Sequence, residues 1–151
     1  MLEPCHLESA LEVCACPGHL TDLLRERGVR TVSLDGRYAA EVRGDMHHLP
    51  FKDSTFDLVA WRHGLEHSPL PYLALWEGMR VSREWLLVVV PWQTPKSINW
   101  PGHFSVLTKV EWERMFALLG LETVICEEGD MSETAESRVD MEWRYLLRRR
   151  R

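Results

Sequence analysis

Three groups of residues in this chain have the types and spacing to do chemistry. The first is Cys14-Ala15-Cys16-Pro17-Gly18, which links the apolar run Ala10 to Val13 to an amphipathic stretch starting near His19. A turn that opens a helix in this way points backbone N–H groups at an anionic ligand group. The second is a pair of aspartates. Asp35 closes the apolar run Val29 to Leu34, 21 positions after Cys14, where a carboxylate can accept hydrogen bonds from both hydroxyls of a ribose. Asp45 lies in Gly44-Asp45-Met46, where the carboxylate suits an adenine amino group and the Met46 side chain suits the ring face. The third is histidine. His47, His48, His63 and His67 form a histidine-rich stretch, and His103 follows in a loop rich in proline and tryptophan. Imidazole changes charge nearest to neutral pH, so histidines in such loops have the chemistry for acid–base work.

Each group also has a plainer reading. A strand-end aspartate caps a turn, and loop histidines are commonly solvated. Trp92, Trp100 and Phe104 either stack a planar substrate or pack against the protein. Cys5, Cys14 and Cys16, with His6 and His19 nearby, match no zinc-finger or ribbon spacing, because the C-x-C pair lacks a second pair. No metal site is therefore expected, and Cys14 and Cys16 are expected to be small, partly buried thiols.

The elements that must position these residues alternate short apolar runs with amphipathic stretches, the pattern of an α/β sheet. Strands are predicted over Ala10 to Val13, Val29 to Leu34, Phe56 to Trp61, Trp85 to Val90, Leu121 to Cys126 and Met141 to Leu147. The Trp85 run is apolar throughout, which predicts a central strand covered on both faces. Helices are predicted from His19 to Arg27, with Gly28 at the end, and from a Ser68 cap to Val81. In the second helix Tyr72, Leu75, Trp76 and Met79 form an apolar stripe expected to be core. Thr108-Lys109-Val110-Glu111 is a capping box that starts a third helix, ended by Gly120. Pro91 to Gly102 reads as a long loop suited to a lid or pocket wall. Glu127 to Arg138 reads as a polar hairpin loop, which makes the last strand antiparallel to its neighbours.

The ordered segments LEVCACPGHL, TVSLDG, RGDMHHLPFKDSTFDLV, LEHSP and HFSVLTKVEWERMFALLGLETV resemble the small type 11 group of class I S-adenosylmethionine-dependent methyltransferases. The resemblance spans roughly residues 10–125 and rests on the collinear set rather than on one motif. It implies a Rossmann-like three-layer sandwich, mostly parallel, with an antiparallel C-terminal strand. It further implies S-adenosylmethionine as cofactor and a small-molecule acceptor. The backbone of Cys14, Ala15 and Cys16, with Gly18, would face the methionine end of the cofactor. Asp35 would hold the ribose, Asp45 and Met46 would flank the adenine, and His63 and Gly64 would line the sulfonium side. A base, where the acceptor needs one, would be His67 or His103.

Two departures from that family matter. Cysteines stand at positions 14 and 16 where the family has glycines, and glycine serves there because the backbone needs close approach or positive φ. Only eight residues, Gly36 to Arg43, separate Asp35 from Gly44, fewer than a parallel crossover normally uses. The sheet is therefore expected to be trimmed after Asp35, with no parallel edge strand over Ala39 to Arg43. A partner subunit or second copy would cover that edge. These departures also motivate a second functional reading, a non-catalytic binding or assembly subunit on the same scaffold.

The 151 residues are expected to form one domain spanning 1–151. Hydrophobic residues at 45% suffice for a core, and no run is long enough to span a bilayer. Residues 1–10 lack a basic start followed by an apolar stretch, so a cytoplasmic location is expected. A net charge of -5 argues against a chain that grips nucleic acid with its whole surface. The four consecutive arginines, Arg148 to Arg151, are expected to be a solvated terminus.

Overall fold

The computed structural model describes residues 1–3, 5–16, 18–130 and 141–150. In chain order the elements are β1 (Ser9–Val13), α1 (His19–Glu26), β2 (Arg30–Asp35), β3 (Val42–Arg43), β4 (Phe56–Arg62), α2 (Pro71–Val81), β5 (Ser82–Pro91), α3 (Pro95–Ile98), α4 (Lys109–Leu118), β6 (Leu121–Asp130) and β7 (Met141–Arg149). A single 3₁₀ turn, Leu65–His67, lies between β4 and α2. Among the described residues, seven strands form one sheet in the order β3-β2-β1-β4-β5-β7-β6. Strands β1 to β5 pair in parallel, and β7 runs antiparallel to both β5 and β6. This is the Rossmann-like mixed sheet that the segment order implies.

The strand periodicity of two divides the core into its two faces. Leu11, Val13, Val59, Trp61, Leu86, Val88 and Val90 face α2 and α4, where Leu75, Val81, Trp112 and Phe116 meet them. Ala10, Leu58, Ala60, Trp85, Leu87 and Val89 face the other way, onto Leu20 and Leu24 of α1 and onto Met1, Leu2 and Leu7. Strand β5 contributes to both faces, as its unbroken apolar run requires.

Four expectations need correction. First, the edge strand is not lost, because Val42 and Arg43 pair in parallel with Leu34 and Asp35. A return of two residues needs far less chain than a full crossover, and residues 36–41 can span roughly 20 Å. Glu41 completes the edge with its side chain: Ser33 N–H donates to its carboxylate at 3.2 Å, and Ser33 Oγ accepts from Glu41 N–H at 3.0 Å. Second, the apolar stripe of α2 is split. Leu75 is fully buried and Met79 half-buried, but Tyr72 and Trp76 are 46% and 53% exposed. The buried residues are Pro71, Ala74, Leu75, Glu77, Gly78 and Val81. Glycine is needed at position 78 because the Trp61 indole lies beneath the helix there. Third, Leu70 rather than Ser68 is the N-cap residue of α2, with Pro71 in its first turn. Fourth, Arg148 and Arg149 are strand residues: Arg148 pairs with Glu122 at 2.9 Å and lies over the Trp85 ring, and Arg149 donates to Ser82 O. The C-terminal run thus completes β7, and Arg151 lies outside the described residues. Of the expected polar loop, residues 127–130 extend β6 and the rest lies outside the described residues.

Gly78 is the position at which packing is least tolerant. A Cβ there would overlap Trp61 Cη2. Gly78→Ala is expected to destabilise the protein by about 1–3 kcal/mol, despite alanine's better helix propensity. Urea unfolding monitored by tryptophan fluorescence measures the change, and an unchanged or higher midpoint would contradict this packing.

Candidate functional site

The parallel strands β1, β2 and β3 deliver their C-terminal residues to one end of the sheet, the end at which open α/β sheets bind ligands. A groove of about 450 Å³ opens there, lined by Cys14, Leu34, Gly36, Arg43, Gly44, Asp45 and Met46. Cys14 has φ 60° and Gly18 φ 91°, so the loop takes positive φ at both positions, one of them occupied by a non-glycine residue. The Cys14 side chain packs on Gly64, where an added Cβ would come within 2.8 Å of Cys14 Cβ and 3.2 Å of its sulfur. Burial, reinforced by the carboxylates of Asp35, Glu66, Asp45 and Glu12, pushes the Cys14 thiol up to about 12. It is therefore a neutral thiol rather than a reactive thiolate. Ala15 is buried, its N–H bonded to Leu34 O at 3.2 Å, and Cys16 is exposed; neither they nor Gly18 line the groove. Gly18 is the N-cap residue of α1.

The two aspartates are held differently. Asp35 Oδ1 accepts from Arg37 N–H at 2.7 Å and from Tyr38 N–H at 2.8 Å, capping the turn that stands in place of a crossover helix. Asp45 is exposed, and its Oδ1 accepts from the backbone N–H of His47 at 2.9 Å and pairs with His47 Nδ1 at 2.7 Å. That backbone bond is the main reason its carboxyl titrates below the usual range. His47 Nε2 in turn meets Ser68 Oγ at 2.6 Å, so the Asp45 loop is tied to the segment that follows the 3₁₀ turn.

A second cavity, about 220 Å³, lies beyond the end of β5, with His63, Glu66, His67, Trp92, Trp100 and His103 in its walls. His63 has φ 55° and is clamped between two carboxylates, with Nδ1 3.2 Å from Glu66 Oε1 and Nε2 2.7 Å from Glu142 Oε2. Burial alone would depress its pKa, but the hydrogen bonds and charges of Glu142 and Glu66 outweigh it and raise the value to about 9. His63 is thus an imidazolium that donates through both nitrogens. His67 and His103 meet edge to face with centroids 4.7 Å apart. The expected loop over 91–102 forms the cavity wall and contains α3, capped by Thr94. Trp92 stacks on Trp143 at 5.0 Å, Trp100 lines the cavity, and Phe104 is exposed.

Most of the residues singled out in the sequence therefore fall into two adjacent groups, whereas Asp35, Ala15, Cys16 and Gly18 line neither space. Cys14, Asp45 and Met46 share the first groove, and His63, His67 and His103 share the second cavity. Gly64 joins them, because it touches Cys14 and directly follows His63. Three carboxylates escaped the sequence reading. Glu66 and Glu142 hold His63, and Glu12 accepts from Thr21 N–H at 2.7 Å. Glu12 thereby occupies the first turn of α1, where an anionic ligand group was expected. A lone glutamate within a buried strand was the available signal.

The family model described as a methyltransferase domain matches residues 11–85. No curated protein sequence matches the chain. Among solved structures, a candidate methyltransferase from Bacillus halodurans C-125 is similar with a TM-score of 0.76 at 18% identity, covering 97% of this chain and 94% of that one. The candidate methyltransferase in complex with the Trm112 methyltransferase activator of Haloferax volcanii reaches 0.76 at 14% identity, covering 95% and 83%. The 1,6-didemethyltoxoflavin-N1-methyltransferase of Burkholderia thailandensis, solved with 1,6-didemethyltoxoflavin and S-adenosylhomocysteine, reaches 0.74 at 15% identity, covering 95% and 71%. These likenesses share the fold, and the family match spans the segments that build the groove: the chain belongs to the family of methyltransferase domains.

Proposed function

We propose that this chain transfers a methyl group from S-adenosylmethionine to a small-molecule acceptor, with the cofactor in the groove over β1 to β3 and the acceptor in the cavity beyond β5. The observation that carries the reading is the adjacency of the two spaces across the Cys14–Gly64 contact, with His63 on the far side. The groove's residues fit an adenosine-bearing ligand. Cys14 and Gly18 both take positive φ in the loop at the groove's end, and a Cβ on Gly44 would come within 2.9 Å of Leu34. The cofactor supplies an electrophilic sulfonium methyl, so most of the protein's task is positioning.

In this reading Asp45, held anionic by His47, offers Oδ2 to the adenine amino group, and Met46 packs on the ring. Asp35 keeps Oδ1 in its turn and offers Oδ2 to the ribose. Ala15, Cys16 and Gly18 shape the loop at the methionine end, with Cys14 and Gly64 beside the sulfur. Trp92 and Trp100 give the acceptor an apolar wall. His67 and His103 each engage a backbone carbonyl through Nδ1, at 3.0 and 2.8 Å, which leaves Nε2 with a lone pair for a proton from the acceptor.

A partner is the second element of the proposal. Tyr38 is 55% exposed beside the two-residue strand β3, and an unpaired edge of that kind invites another chain. The Haloferax protein of similar fold is held by an activator. Among the described residues no helix is long and apolar enough to cross a membrane. Isothermal titration with S-adenosylhomocysteine tests the cofactor reading, and no heat and no thermal stabilisation at millimolar ligand would overturn it. Methyl transfer by the purified chain alone would remove the need for a partner and rule out the non-catalytic reading.

A further inference from the structure

We propose that Glu66, His67 and His103 bind one divalent transition-metal ion in the cavity beyond β5. A ring nitrogen of each histidine and a carboxylate oxygen of Glu66 lie within 4.8 Å of one another. Direct ligation at about 2.0–2.2 Å brings such atoms to roughly 3–3.5 Å apart, a contraction that side-chain rotation supplies. No metal motif marks these residues in the sequence, because the ligands converge only when the loop carrying His103 folds over the 3₁₀ turn. That loop is pinned: Glu66 O accepts from Phe104 N–H at 2.8 Å and Ser105 N–H at 3.0 Å, and Ser105 Oγ donates to Ser68 O at 2.6 Å.

Two independent features prepare these side chains as ligands. His67 Nδ1 bonds to Gly102 O and His103 Nδ1 bonds to Ser97 O. A carbonyl only accepts, so each Nδ1 carries the proton and each Nε2 keeps its lone pair. That is the outer-shell arrangement that fixes the tautomer of metal-binding histidines. Glu66 is 1% exposed, and while its Oε1 meets His63, its Oε2 is buried with no hydrogen-bond partner. An unsatisfied buried carboxylate oxygen is strongly unfavourable, and a cation in the cavity relieves it.

Two imidazoles and one carboxylate suit zinc or ferrous iron rather than magnesium or calcium, and they leave coordination positions open. Those positions face a cavity walled by Trp92 and Trp100, so the ligand class is a planar molecule with an oxygen or nitrogen donor. If such a molecule is the methyl acceptor, coordination lowers the pKa of its donor group and the two histidines act as ligands instead of bases. That consequence rests on the methyl-transfer reading, whereas metal binding does not.

The test is titration of the chelator-treated full chain with Co²⁺, followed by visible absorption, with Zn²⁺ competition. The expected result is one equivalent bound, with d–d bands and no thiolate charge-transfer band. His67→Ala and His103→Ala, whose side chains are not buried, are each expected to weaken binding by more than the roughly 10–100-fold lost with an outer-shell partner. Glu66→Gln should do the same, and His19→Ala should not. Absence of binding, a thiolate band, or affinity unchanged in both histidine variants overturns the site. S-adenosylhomocysteine titration of the same samples separates failure of the metal site from failure of the cofactor reading.

Discussion

Replacing Cys14 with glycine is expected to raise the affinity for S-adenosylhomocysteine by about 10–100-fold, or about 1.4–2.7 kcal/mol. Cys14 lines the groove with Asp45 and Met46, and it is held at φ 60°. A non-glycine residue in that region carries strain on the order of 1–3 kcal/mol, which glycine removes. Glycine also adds roughly 0.5–1 kcal/mol of chain entropy to the unfolded state, so folding stability changes less than affinity. The Cys14–Gly64 contact makes the idea sharper. Gly64→Ala places a Cβ 2.8 Å from Cys14 Cβ and is expected to lose about 1–3 kcal/mol of stability. In the Cys14→Gly background most of that loss should vanish, a coupling that urea unfolding of the four proteins measures. Additive effects with unchanged affinity would mean that Cys14 does not narrow the site.

His63→Gln is expected to lose about 3–5 kcal/mol of stability at pH 6, because it leaves Glu66 and Glu142 without their shared cation. Both carboxylates are 1% exposed, and Arg144 is the other cation on Glu142. The pH dependence follows from the direction of the shift. The folded-state pKa of about 9 lies above the ordinary histidine value of 6.5. The stabilisation is therefore complete below about pH 6.5, declines as pH rises, and is gone above about pH 9, on the order of 3 kcal/mol in total. The thiols of Cys14 and Cys5, raised by burial to about 12 and 11, act in the same sense but at higher pH. Thermal unfolding with a chelator present, at steps from pH 6 to 9, should show a falling midpoint in the wild type and a nearly flat one in His63→Gln. Parallel curves would show that His63 does not carry the charge.

Much of this architecture was legible because strand and helix periods are local. The run Trp85 to Val90 announced a doubly covered strand, and β5 supplies residues to both core clusters. The Thr108 capping box forms as read, with Glu111 returning to the Thr108 N–H at 2.7 Å. Two misreadings were of a different kind. The Tyr72–Trp76 stripe has helical spacing, but which face turns inward depends on Trp61 of another strand. The short segment after Asp35 broke a rule for full-length crossovers, yet a two-residue strand with a glutamate side chain along the edge needs no helix.

The sequence by itself determined the order of most elements, the strand end at which Asp35 emerges, and the presence of side chains at two loop positions where the family has glycine. These depend on residues close together in the chain. The tertiary structure alone decided where the Cys14 side chain goes, that Glu142 reaches His63 from 79 positions away, and that His103 meets His67 beside Glu66. Sheet order and loop docking set those distances, and a buried charge is tolerable only where such distant partners meet it.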